Sequence, residues 1–152
     1  HFVSARLPCP ATTSALLGGV RDGHVIALCS ADPSDVGPGE TDVQVWTATR
    51  LGGAFRASGP VSDSPNILGF AAASARDLAV ATIFDLQVTH NAGQTWTAEL
   101  VQNNGAIWSD LSFSTATTGT VVCSTVDNEG NEVSTVYRTT NAGRTWGAVK
   151  LP

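Results

Sequence analysis

One octapeptide is written twice in this chain: Thr89-His90-Asn91-Ala92-Gly93-Gln94-Thr95-Trp96 returns as Thr139-Thr140-Asn141-Ala142-Gly143-Arg144-Thr145-Trp146, six of eight positions matching at an offset of 143 − 93 = 50 residues. Self-similarity at such a period means that each unit is one supersecondary motif buried against its neighbours. The match extends upstream. Leu68-Gly69-Phe70 followed by Leu78-Ala79-Val80-Ala81 parallels Leu111-Ser112-Phe113 followed by Thr120-Val121-Val122-Cys123. A third apolar segment, 85–88 in one copy and 135–138 in the other, places Leu86 on Val136. Setting Gly52 against Gly93 uncovers a decayed third copy, with Val45 on Leu86, Arg50 on Asn91, Phe55 on Trp96, and Val25–Cys29 as a second strand whose Cys29 falls near Cys123. The units run approximately over 1–60, 61–102 and 103–152.

These segments are short, rich in β-branched residues, and broken by Gly, Asn, Asp and Pro at intervals too close for helices. Units of this length with about four short strands match one blade of a β-propeller. The expected fold is all-β, a partial β-propeller of about three four-stranded antiparallel blades in one domain; a β-sandwich is the other arrangement such strands allow. A composition of 42% hydrophobic and 14% charged residues supplies a real core. No apolar run approaches the roughly 20 residues a membrane-spanning helix needs.

The shared turn has its own chemistry. An Asx side chain can accept backbone N–H groups two residues on, glycine supplies the positive φ that closes the bend, and the Trp ring folds back over the hairpin. The pattern Thr-x-Asn-Ala-Gly-x-Thr-Trp resembles the Asp-box, or BNR repeat, of many β-propellers, with Asn91 and Asn141 standing where Asp is usual. With the Leu-x-Phe and Gly-Thr-Val-Val segments it makes the chain similar to the propellers of the photosystem II assembly factor and sialidase-like superfamily. The resemblance implies an architectural role for Thr89, Asn91, Gly93, Trp96, Thr139, Asn141, Gly143 and Trp146. It names no activity.

Catalytic constellations are hard to find. A sialidase-like site needs an arginine triad and an activated Tyr; the single Tyr, Tyr137, aligns with Gln87 and Trp46 inside a strand. Asp42, Asp85 and Asp110 are carboxylates that a glycosidase pair could use, yet no spacing singles them out. There is no Gly-x-Ser-x-Gly elbow, no His-Glu-x-x-His and no phosphate-cradling loop. His24 and His90 have no evident partners, and His90 is expected to face water. Two acidic connections, 32–42 and 127–132, do not match known calcium spacings. No catalytic residue, metal or cofactor is therefore assigned. The candidates for a binding role are Trp108 and Asp110, where one unit hands over to the next, and Asp127 and Glu129 in the second acidic loop.

A net charge of −5 disfavours nucleic acid and anionic membranes as partners. Of three cysteines, Cys9 and Cys29 are the expected disulfide, the alternative being that Cys29 and Cys123 are simply buried thiols. That bridge, few Lys and a start without Met suggest an extracytoplasmic protein processed from, or cut out of, a longer product. Three blades cannot close a ring, so self-association into six blades, the rest of a longer propeller, or another protein is expected to cover the terminal faces, which should be apolar. The expected function is a non-catalytic module presenting a rigid face to a protein or glycan; a fragment of an Asp-box glycoside hydrolase is the alternative.

Overall fold

The structure is a computed structural model and describes residues 8–9, 14–19, 23–30, 43–50, 52–61, 67–101 and 106–150. Twelve strands are formed there: β1 (Ser14–Gly19), β2 (Val25–Ser30), β3 (Val43–Ala48), β4 (Arg56–Pro60), β5 (Ile67–Ala72), β6 (Leu78–Thr82), β7 (Asp85–Thr89), β8 (Thr97–Val101), β9 (Ile107–Phe113), β10 (Gly119–Val126), β11 (Glu132–Thr139) and β12 (Gly147–Ala148). They make three four-stranded antiparallel sheets, each joined in chain order: β1-β2-β3-β4, β5-β6-β7-β8 and β9-β10-β11-β12. No helix occurs among the described residues.

Strand composition follows each sheet's place in the stack. All five residues of β6 are buried, because both of its faces are covered. Leu78 and Val80 pack with Ile26, Leu28, Val43 and Val45 of the first sheet. Ala79 and Ala81 face the other way, onto Trp108, Val121 and Cys123 of the third. A strand covered on both sides reads as a continuous apolar run, which is what Leu-Ala-Val-Ala is. β10 alternates buried and half-buried residues over residues 119–124, the signature of a sheet with a neighbour on one side only.

The small side chains at Ala79 and Ala81 make room for the Trp108 indole, which is 1% exposed and meets the Tyr137 ring at a centroid distance of 5.9 Å. Leu100, Leu111, Phe113 and Trp146 close the rim of this core. Between the first and second sheets the backbones come close enough to exclude any side chain at Gly59, where a Cβ would run into the Gly93 carbonyl and Gln94. The most extensive contacts between sheets are made by their first strands, β1 against β5 and β5 against β9.

Register corrects the sequence alignment by one residue. Leu78 pairs with Thr89 and Gly119 with Thr139, so Val80 matches Val121, not Val122. A slip of one exchanges the two faces of a strand, and only the corrected register puts Val121 and Cys123 toward the second sheet.

The outward face of the third sheet also departs from expectation. Cross-strand pairs Thr120–Arg138, Val122–Val136 and Ser124–Ser134 lie on it, joined by Ser109 and Ser112 of β9. Ser124 and Ser134 share a 2.8 Å hydrogen bond. Arg138 and Thr120 occupy the positions of Val88 and Ala79, so the face is mixed and partly exposed rather than apolar.

Candidate functional site

The two copies of the octapeptide form the same bend, between β7 and β8 and between β11 and β12. Thr89 Oγ1 accepts hydrogen bonds from Gly93 N at 3.0 Å and from Asn91 N at 3.4 Å while donating to Asn91 Oδ1 at 2.8 Å. That oxygen also accepts from Thr95 N at 3.0 Å, and Asn91 Nδ2 donates to Thr95 Oγ1 at 2.8 Å. In the second copy, Thr139 Oγ1 accepts from Gly143 N at 3.0 Å and from Asn141 N at 3.3 Å, and the Asn141 side chain repeats each of its bonds at 2.9–3.0 Å. The division of labour differs from the sequence reading: the Thr hydroxyl takes the near N–H groups, and the Asn oxygen reaches four residues on.

Two consecutive residues are left-handed, Ala92 (φ 61°) with Gly93 (φ 82°) and Ala142 (φ 59°) with Gly143 (φ 88°). For alanine that conformation is costly. It is held by bonds from Ala92 N to Arg76 O and from Ala142 N to Thr117 O, which tie each bend to the preceding β5–β6 or β9–β10 connection. The indoles part company. Trp146 Nε1 donates to Gly143 O at 3.1 Å and its ring meets Phe113, whereas Trp96 packs into the core between the first and second sheets and its buried Nε1 has no partner. The first sheet accounts for the difference, since Gly59 occupies the approach to Gly93 O. In the decayed copy Gly52 keeps its positive φ (76°), but Arg50 offers only its carbonyl, to Gly53 N.

Because Asn91 and Asn141 act chiefly through Oδ1, Asn91→Asp and Asn141→Asp should leave the melting temperature nearly unchanged. Asn91→Ala should cost about 1–2 kcal/mol by orphaning Thr95 N and the Thr89 hydroxyl. Urea unfolding of the three variants would expose an error if alanine and aspartate behaved alike.

Beside the first bend lies a charged group that sequence reasoning missed. Asp77 Oδ1 is 2.8 Å from His90 Nδ1 and 3.4 Å from Arg144 Nη2 of the neighbouring sheet, while Ser74 Oγ donates to Asp77 Oδ2 at 2.7 Å. His90 is thus paired, correcting its expected solvation; its ring is carried back over the β5–β6 connection by the bend. The signal was faint. Ser74 and Asp77 match Thr115 and Thr118 of the next unit, where the hydroxyl cap is kept and the carboxylate is not. Burial raises the Asp77 pKa, but the Ser74 hydroxyl, His90 and Arg144 outweigh it and hold the carboxyl below its ordinary value. A lowered folded-state pKa stabilises above the unfolded value and is lost as pH falls through the folded one. The stability gap between the wild type and Asp77→Asn should be widest near neutrality and shrink below about pH 4; a gap that persists unchanged into acid in thermal melts would remove the carboxylate from the account.

The proposed binding residues scatter. Trp108 is buried between sheets and cannot meet a ligand at the surface, a correction that follows from its facing the small residues of β6. Asp110 is exposed, left-handed (φ 53°), and sits at a β-bulge opposite Val121, where Ser109 Oγ reaches it at 3.2 Å. Asp127 accepts from Glu129 N and Asn131 N, both at 2.9 Å. The Asn131 and Glu129 amides hold its carboxyl below the usual range, so Asp127 closes the β10–β11 turn. Glu129 is exposed beside it. The connection 32–42 lies outside the described residues, and among those described no three His, Cys, Asp or Glu side chains converge as a metal site. A disulfide joins Cys9 to Cys29, and Cys123 is a buried free thiol whose pKa is raised by burial.

No described helix is long and apolar enough to cross a membrane. No known family model matches the chain, and no curated protein matches it.

Proposed function

We propose that the three sheets are consecutive blades of an Asp-box β-propeller and that the chain is a non-catalytic binding or scaffold module, extracytoplasmic in location, which presents a rigid face to a protein or glycan. The supporting observation is the repeated bend, built from the same hydrogen bonds at the same place in adjacent four-stranded sheets whose first strands converge. Radial stacking about an axis brings first strands together in this way. The mixed outward face of the third sheet suits a hydrated contact, with a second copy or with further blades of the same chain, better than a greasy one.

The competing reading, part of an Asp-box glycoside hydrolase, is tested directly. Sialoside and β-glucan reporter substrates should show no turnover with the purified chain; turnover abolished by Asp110→Asn would overturn the binding reading. Light scattering supplies the second arm, since a well-folded protein that stays monomeric at every concentration would remove ring completion by self-association.

A further inference from the structure

Among the described residues, six of the seven exposed large apolar side chains are segregated, the exception being Val149, just past β12 and beside Val136. Leu68, Phe84, Val101, Ile107, Val126 and Val133 are 43, 56, 57, 61, 63 and 46% exposed. The first two belong to the start of β5 and the β6–β7 turn, the others to the end of β8, the starts of β9 and β11, and the end of β10. Antiparallel order puts all six at one end of the sheets, opposite the Asn bends. Single exposed apolar residues need no explanation, but a set gathered at one end does.

Among the described residues one element dominates that end. β10 and β11 are eight residues long where β6 and β7 are five, so their hairpin projects about 10 Å further at the usual rise per strand residue. Val126 pairs across from Glu132 and Val133 from Thr125, which places the two valines on opposite faces of the projecting finger. It is held in shape by the Ser124–Ser134 bond at its base and at its tip by the Asp127 turn, where Gly130 takes φ 86° and donates to Asp127 O at 3.1 Å. A preformed surface of this kind loses little entropy on binding.

Charge states what the surface suits. Asp85, Asp127, Glu129 and Glu132 stand among the apolar residues, and segments 67–68, 82–85, 100–101, 106–108 and 124–134 contain no Lys or Arg. Arg50, Arg56, Arg76, Arg138 and Arg144 all lie toward the other end, and Lys150, past β12, lies beside the middle of β11. Carboxylates interleaved with aliphatic side chains complement a chain that alternates the opposite charge with aliphatic residues. A glycan would want aromatic platforms, and Phe84 is the one exposed aromatic among the described residues at this end.

We propose that the Val133 face of the β10–β11 finger, which looks toward the second sheet, and the Phe84 turn at the same end of that sheet form a docking surface for an extended cationic segment of a partner protein in which Lys or Arg alternates with aliphatic residues. This rests on the binding-module reading above and names its partner class. The probe is a labelled dodecapeptide alternating Arg and Leu, with its Glu-for-Arg counterpart as control, titrated by fluorescence anisotropy. Saturable binding of the cationic peptide is expected. It should weaken about tenfold or more in Phe84→Ser and in Val133→Ser, stay unchanged in Val126→Ser on the opposite face, and lose much of its salt dependence in Glu129→Gln, Glu132→Gln. These side chains are exposed, and unchanged thermal melts would verify that the variants fold. No saturable binding, undiminished binding by Phe84→Ser and Val133→Ser, or equal binding of the acidic peptide overturns the proposal. NMR shifts confined to the Asn-bend end, or oligosaccharide binding at the finger, would overturn it while leaving a binding module. Turnover of the reporter glycosides is the separate outcome that would remove the reading beneath it.

Discussion

Trp108→Ala should cost about 3–5 kcal/mol, the range for emptying a fully buried aromatic site, and lower the melting temperature by roughly 10 °C for a protein of this size. The indole lies between the second and third sheets with Ala79, Ala81, Leu86, Val121 and Cys123 around it. Those neighbours are small or fixed in strands, so the cavity cannot collapse. Trp108→Phe should be far milder. The buried Trp108 Nε1 has no hydrogen-bond partner, and an unpaired buried donor costs about 1–3 kcal/mol, so removing it offsets part of the lost contact. Thermal melts of both variants decide the matter: equal losses for Phe and Ala would mean that the indole N–H is satisfied or that the site is not a packed junction.

Reduction of Cys9–Cys29, or the double variant Cys9→Ser, Cys29→Ser, should destabilise the protein by about 3 kcal/mol on the loop-entropy account for a 20-residue separation. Cys29 is 3% exposed at the end of β2, so the bridge fastens residue 9 to the first sheet. Urea titrations with and without reductant measure the effect, and a change below about 1 kcal/mol would show that the closed loop constrains little. Thiol labelling gives a parallel check. Cys123 is buried and its thiolate is disfavoured, so the folded protein should label slowly and release one reactive thiol per chain on unfolding.

The repeat made most of the local architecture legible. Thr89, Asn91 and Gly93, and their counterparts 50 residues later, specify a bend through bonds confined to a few neighbouring residues, and such bonds form whatever the rest of the chain does. The strands between punctuation residues were readable for the same reason, since period and β-branching act locally. Tertiary structure decided which face of each strand is covered, because the one-residue register that turns Val121 inward depends on pairing with β11 and stacking on β6. It also decided that Trp108 is a core residue, that Asp77 meets both His90 and, from another sheet, Arg144, and that apolar and acidic side chains far apart in sequence share one end. Those facts depend on how separate sheets are stacked, a distance in space that spacing along the chain does not encode.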